Sequence, residues 1–340
     1  MDRHSSQAAT PHPFVCVSSA MRRVLEESRR AAMTHRPLQL VGESGSGKGR
    51  IARSVHDSGP RRDKPYILWS APEGSDTLGV REMFGHVRGA FTGADRDGIG
   101  LFEAADTGTL VIDDVDKMSL SLQASLLRFL DSWTVRRLGS NTTIWIDVRL
   151  IVTTNRPLSA VVNEKRFLPD LAWRLRGLRI EVPPLRDRPE DIPPLIDHFA
   201  SRFAEEYAKS PPQFSKSALE ILRRAPWPGN VRQLEGAVEN LVFHCSDGRP
   251  IGPDEVLGEL KVDEAMVLAE PVANPVDSGR EAIRVRKDLL VRALDLVHWN
   301  SVQAAANLKV PLRTVRRWMK KYGLRRGNRI HSLGGNDGVA

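Results

Sequence analysis

The chain has 340 residues, 41% hydrophobic and 27% charged, a balance that suits about two globular domains and leaves little room for extensive disorder. No apolar run approaches the ~20 residues of a membrane span, and the polar, His/Ser-rich start at 1–13 lacks the apolar stretch of a secretory signal, so a cytoplasmic location is expected; Cys16 and Cys245 stand far apart without metal-ligand spacing, which excludes a disulfide framework and a zinc site. The net charge of +8 is localised: residues 280–326 carry 13 Lys/Arg against 3 Asp/Glu, an excess of 10 that leaves the rest of the chain at −2, so a small basic module suited to phosphates is joined to a near-neutral body.

Residues 14–187 alternate short apolar or β-branched runs with helical patterns, as expected for an α/β core with a parallel sheet flanked by helices. The candidate strands are Leu38 to Val41, Tyr66 to Trp69, Thr109 to Ile112, Val148 to Thr153 and Leu178 to Val182. After the first of them comes Gly42-Glu43-Ser44-Gly45-Ser46-Gly47-Lys48-Gly49, followed by a helical run from Arg50 to His56. A Gly-rich turn between strand and helix lets backbone N–H groups wrap phosphates at a helix N-terminus, with Lys48 reaching the outer oxygens of ATP. Gly49 stands where the general motif has a Ser or Thr hydroxyl for Mg2+, so the metal is assigned to Asp113. The apolar strand Thr109 to Ile112 ends in Asp113-Asp114, a pair in which one carboxylate serves the metal shell and the other polarises water.

A Pro-rich stretch, Pro183 to Pro194, leads into helices. One spans Lys216 to Arg224. Another starts after Trp227-Pro228-Gly229, with Asn230 as its N-cap and Val231, Leu234, Val238 and Leu241 at helical spacing. These make a helical lid over 188–258, so that the nucleotide-binding unit covers 14–258. Residues 259–279 lose periodicity and read as a linker. In 280–326, a helix over Asn300 to Leu308, a turn, and a second helix from Pro311 to Tyr322 closed by Gly323 form a helix-turn-helix. Arg313, Thr314, Arg316, Arg317 and Lys320 face the groove of double-stranded DNA, some meeting only phosphates. The Gly-rich tail, 327–340, is expected to be disordered.

The stretch Phe84-Gly-His-Val-Arg-Gly89-Ala90-Phe91-Thr92-Gly93-Ala94 holds an intact GAFTGA hexapeptide, and Gly108 to Asp113, Asp147 to Asn155, Pro183 to Arg188 and Trp227 to Arg232 agree with the same pattern. On these residues the chain resembles the sigma-54-interacting AAA+ activators, or bacterial enhancer-binding proteins, from about Phe14 to Cys245, and again in a C-terminal module of Fis type. The resemblance implies an ATPase that binds upstream DNA and remodels sigma-54 RNA polymerase. It also implies that Gly89, Ala90, Phe91, Thr92, Gly93 and Ala94 form the loop engaging the sigma factor, with Phe91 and Thr92 at the contact. Asn155 takes the sensor-I place and Arg232 the sensor-II place on the lid. Arg174 is an arginine finger reaching a neighbour's nucleotide, which implies a ring, a hexamer of identical or homologous subunits.

Several positions depart from the family. The FR-x-DL pattern reads Phe167-Leu168-Pro169-Asp170-Leu171, so one of two finger arginines is missing, with Arg166 one residue away. The catalytic Glu is Asp114 and its Asn partner is Ser70. These changes imply a slow or partner-dependent ATPase. They leave open a hydrolysis-impaired DNA-binding regulator or partner subunit of a mixed ring. An unrelated AAA+ remodeller such as a helicase loader is disfavoured by the intact loop. With the ATPase pattern starting near residue 14, a short form without an N-terminal receiver or sensing domain is expected.

Overall fold

The computed structural model of the protein describes residues 14–70, 76–246 and 249–267, with side chains as far as Lys261, together with Met319. Helix α1 (Ser19–Ala32) is capped by the Ser18 hydroxyl, which accepts the Met21 amide. There follow β1 (Leu38–Val41), α2 (Lys48–Asp57), β2 (Tyr66–Ser70), α3 (Asp76–Phe84), a single turn α4 (Leu101–Ala104) and β3 (Thr109–Asp113). Helix α5 (Leu120–Ser132) leads into a two-stranded antiparallel ribbon of β4 (Thr134–Val135) and β5 (Ile144–Trp145). Then come β6 (Arg149–Thr154), α6 (Leu158–Asn163), α7 (Pro169–Leu175) and β7 (Leu178–Glu181).

Five strands form one parallel sheet in the order β2-β3-β6-β1-β7. Its inner strands β1 and β6 are buried along their whole length because helices cover both faces. Successive side chains point to opposite faces. Leu110, Ile112, Leu150 and Val152 therefore join the core built with α5 and α7, while Val111, Ile151, Leu38 and Leu40 join the one built with α1 and α2. Each expected strand is present, β1 with the expected bounds, β2 and β3 one residue longer, β7 one residue shorter and β6 moved one residue along the chain; β3 takes in Asp113, and α2 begins at Lys48, inside the glycine motif.

The lid consists of α8 (Ile192–Glu206), α9 (Lys216–Arg224), α10 (Asn230–His244) and α11 (Pro253–Val267) around Phe199, Phe203, Trp227, Leu234 and Val238. Two expectations are corrected here. Asn230 does not cap α10: the cap residue is Gly229, and Asn230 itself is buried with φ +54° and its side chain turned away from the helix. The linker expected from 259 is helical as far as Val267. Among the described side chains of α11, Val256 and Leu260 meet the lid core.

The chain divides into two compact units, Met1–Glu264 and Ala265–Ala340, and both the sheet and the lid core belong to the first. The helix-turn-helix expected at 280–326 and the tail expected at 327–340 lie outside the described residues, apart from Met319. No helix among the described residues is long and apolar enough to cross a membrane.

Candidate functional site

Residues 42–47 turn from the carboxyl end of β1, near the middle of the sheet, into α2. Gly45 has φ +73°, and a Cβ placed on it would lie 2.2 Å from the Gly229 carbonyl oxygen, so lid backbone rests directly on this loop. The Val231 amide donates to the Gly45 carbonyl at 3.0 Å. Beside the loop a cleft of about 820 Å³ opens at the ends of β1, β6 and β7, lined by Gly42, Glu43, Asn155 and Val182 and by Arg23 and Glu27 of α1. In parallel α/β sheets this is the edge where ligands are bound.

Lys48 is buried. Its ammonium donates to the carbonyls of Gly42 at 2.8 Å and Glu43 at 3.0 Å, and to Asn155 Oδ1 at 2.9 Å. Burial pulls its pKa below the ordinary lysine value, and the Asp114, Asp113 and Asp116 carboxylates oppose that shift. Asn155 continues the chain of contacts, its Nδ2 donating to Asp114 Oδ1 at 3.0 Å. The phosphate-loop lysine and the acidic end of β3 are thereby joined through one amide on β6's carboxyl side.

Asp113 and Asp114 sit differently. The Thr153 hydroxyl donates to Asp113 Oδ1 and accepts the Asp114 amide at 2.9 Å. Asp114 is in the left-handed region at φ +51°, which carries its carboxylate to Lys117, at 2.9 Å. Asp116 is buried, with Oδ1 unpartnered among the described residues. Ser70 is exposed at the end of β2, in register with Asp113.

The remaining candidates are spread over the surface. Arg232 reaches from α10 toward Ser44 Oγ at 3.5 Å. Arg174 is 60% exposed on α7 and pairs with Asp131 at 2.8 Å, away from its own phosphate loop's contacts. Leu168 is partly buried against the core, its amide donating to Gln123 Oε1 at 2.8 Å. Arg166 is exposed, 3.8 Å from Glu164.

Several residues of the site were not singled out from the sequence. Arg186 grips Glu43 with two hydrogen bonds, at 2.8 and 2.6 Å, and holds that carboxyl below the usual range against the opposing effect of burial, with a smaller contribution from Asn230. Buried Arg188 donates to the Ser46 carbonyl at 2.7 Å. Asn230 donates to Ser44 O at 3.0 Å and Glu43 Oε2 at 3.1 Å and accepts the Leu185 amide at 2.7 Å. The two arginines lie inside Pro183 to Arg188, so the motif held the signal, whereas nothing local marks Lys117 beyond its spacing from Asp114.

The loop at 89–94 closes on itself, the Gly89 amide donating to Ala94 O at 2.9 Å. Gly89 at φ +81° and Gly93 at φ +92° meet no other atoms that a Cβ would strike, so conformation alone calls for glycine. Thr92 is exposed. Phe91 is half-buried: its ring lies 5.0 Å from the His86 ring and the Arg81 guanidinium stands 5.0 Å above it. The loop's base is tied to the neighbouring ribbon connection, Val87 N donating to Leu138 O at 3.0 Å.

Comparison with known proteins agrees with this geometry. A sequence-family model of the Sigma-54 interaction domain matches residues 14–181, and one of the AAA+ ATPase lid domain matches 186–266. The transcriptional regulatory protein ZraR of Escherichia coli is 37% identical over 318 residues, covering 92% of this chain and 70% of that protein. The alginate biosynthesis transcriptional regulatory protein AlgB of Pseudomonas aeruginosa is 36% identical, covering 90% of this chain and 67% of its own. Among solved structures, NtrX from Brucella abortus in complex with ATP superposes with a TM-score of 0.68 at 28% identity, over 92% of this chain and 70% of that one.

Proposed function

The chain belongs to the family of sigma-54-dependent transcriptional activators, with an AAA+ core and lid, and on that footing we propose that it binds upstream DNA and uses ATP hydrolysis to remodel sigma-54 RNA polymerase into an open complex. The observation that carries this reading is the connected run Lys48, Asn155, Asp114, which couples a phosphate cradle to an acidic strand end. NtrX, bound to ATP in its crystal structure, supports placing ATP against residues 42–49 with Arg232 closing from the lid.

Mg2+ fits the residues present. Its hard-oxygen preference is met by Asp113, and because Mg2+ keeps several waters and relies on substrate phosphates, one carboxylate suffices. Ser46 Oγ, buried and unpartnered among the described residues, is a further oxygen in the cradle. When bound, the ion neutralises charge on the β- and γ-phosphate oxygens. Lys48 and the loop amides bind and orient the phosphates, Asp114 orients the attacking water, and the lid, through Asn230 and Arg186, holds the loop in shape.

The exposed Arg174, beside a Trp173 that is 65% exposed, suits a protomer interface in a ring where the arginine serves the adjacent site. Thr92 and, once released from His86 and Arg81, Phe91 present the sigma contact. Arg313, Thr314, Arg316, Arg317 and Lys320 bind DNA. A second reading, a hydrolysis-impaired subunit of a mixed ring, is favoured by Leu168, whose packing against the core leaves no finger at that position.

Open-complex formation at a sigma-54 promoter tests the proposal. Intact protein with ATP opens the promoter, while Thr92→Ala hydrolyses ATP without opening it. Opening by Thr92→Ala at the parent level removes the loop from the mechanism.

A further inference from the structure

Asp114 stands in the place of the water-polarising carboxylate, yet both of its oxygens are already engaged. Oδ1 accepts from Asn155 Nδ2 at 3.0 Å, and Oδ2 faces the Lys117 ammonium at 2.9 Å. The backbone builds this pair in. Asp114 at φ +51° starts a 3-10 turn over Val115–Lys117 in which the Lys117 amide donates to the Asp114 carbonyl at 2.9 Å, so the two side chains leave the turn on the same side. The partner expected from across the sheet, Ser70, is exposed at the end of β2.

We propose that Lys117 is a positioning residue that restrains Asp114, holding the carboxylate away from the attacking water until the ion pair opens. The inference rests on the hydrolysis reading above. In that reaction the water oxygen forms a bond to the γ-phosphorus, the bond from that phosphorus to the bridging oxygen breaks, and ADP leaves with that oxygen. The water's protons end on phosphate and solvent. Asp114 must turn toward the water and accept a hydrogen bond from it; each carboxylate oxygen keeps a second lone pair for this, but two strong donors fix the direction in which the group points, and it reorients only when one lets go. Lys117 is the releasable one. It is 43% exposed and Asp114 25%, and water screens such a pair, so opening it costs little. The restraint is therefore modest, about two- to fivefold in turnover, the scale at which half-exposed ion pairs act.

The test uses full-length protein and steady-state ATP hydrolysis, with nucleotide affinity measured separately by a fluorescent ADP analogue. Lys117→Met, which keeps the aliphatic stem and removes the ammonium, raises kcat about two- to fivefold with KM for ATP and analogue affinity within about twofold. Lys117→Arg, which keeps a cation in place, turns over more slowly than Lys117→Met. A Lys117→Met variant that melts with the parent and hydrolyses at or below the parent rate overturns the restraint while leaving the ATPase reading intact. Parent and Lys117→Met that both bind nucleotide and both fail to hydrolyse it overturn the two together.

Discussion

The side-chain amide of Asn230, at the first turn of a lid helix, donates 3.0 Å to the main-chain carbonyl of Ser44 in the phosphate loop, 186 residues earlier in the chain. The same residue accepts the Leu185 amide at 2.7 Å and is fully buried. Removing it strands the buried Leu185 donor at a cost of ~1–3 kcal/mol and leaves the Ser44 carbonyl, on an exposed residue, to solvent. Asn230→Ala is therefore expected to lower unfolding stability by about 1–3 kcal/mol, read from urea denaturation, and to weaken ADP binding because the loop loses its brace. Asn230→Gly separates the causes, since it tolerates the φ of +54° but makes no side-chain bonds. Full stability in Asn230→Gly would assign the effect to backbone strain in the alanine variant and not to the hydrogen bonds.

Lys48 gives a sharper separation of binding from folding. Its stem is buried, and its ammonium is satisfied by three oxygens of this chain, two of them the loop's own carbonyls. Lys48→Met keeps the stem and leaves no charge for the phosphates. A loss of at least ~10-fold in ATP affinity is expected, on the order of one charged hydrogen bond, with the far-UV spectrum unchanged. Calorimetric titration checks it, and affinity within threefold of the parent would place the phosphates elsewhere.

His56 supplies a pH dependence away from the site. It is buried, with Nδ1 2.9 Å from Thr109 Oγ1 and its ring 5.1 Å from that of Tyr66. Burial lowers its pKa below 6.5, with Asp57 pulling the other way. The folded state thus holds fewer protons than the unfolded one just below pH 6.5, so this contribution is complete above that pH and is lost as pH falls toward the folded-state pKa. Parent protein is expected to lose stability between pH 7.5 and pH 5.5, and His56→Phe to lose less over the same interval. Equal slopes for the two would remove His56 as the cause.

The contrast between Lys48 and Asn230 shows what was legible in the sequence. The phosphate loop is a local object, strand, turn and helix in succession, and each strand of the sheet is marked by its own short apolar run. Asn230 looked like an N-cap because its neighbours favour one, but its partners lie at 43–44 and at 185, beyond the reach of any window along the chain. The resemblance implied Phe91 at the sigma contact, and here its ring lies against His86 and under Arg81 of α3.

Arg174 tests whether sites are shared between protomers. Its ion pair with Asp131 joins side chains 60% and 47% exposed, and such a surface pair contributes so little that a neighbour's phosphate can compete for the guanidinium. Arg174→Ala is expected to bind ATP normally and hydrolyse it at least ~1000-fold more slowly, the lower range for loss of a finger arginine. Asp114→Asn is expected to be inactive for a different reason, keeping the finger and lacking the water-orienting carboxylate. In an equimolar mixture, sites that take their carboxylate from the first variant and their arginine from the second are complete. With random assembly these are about a quarter of all interfaces, so hydrolysis should return toward about a quarter of the parent rate. A mixture no more active than the two variants alone would mean that Arg174 serves its own protomer or none, and the shared-site ring would have to be given up.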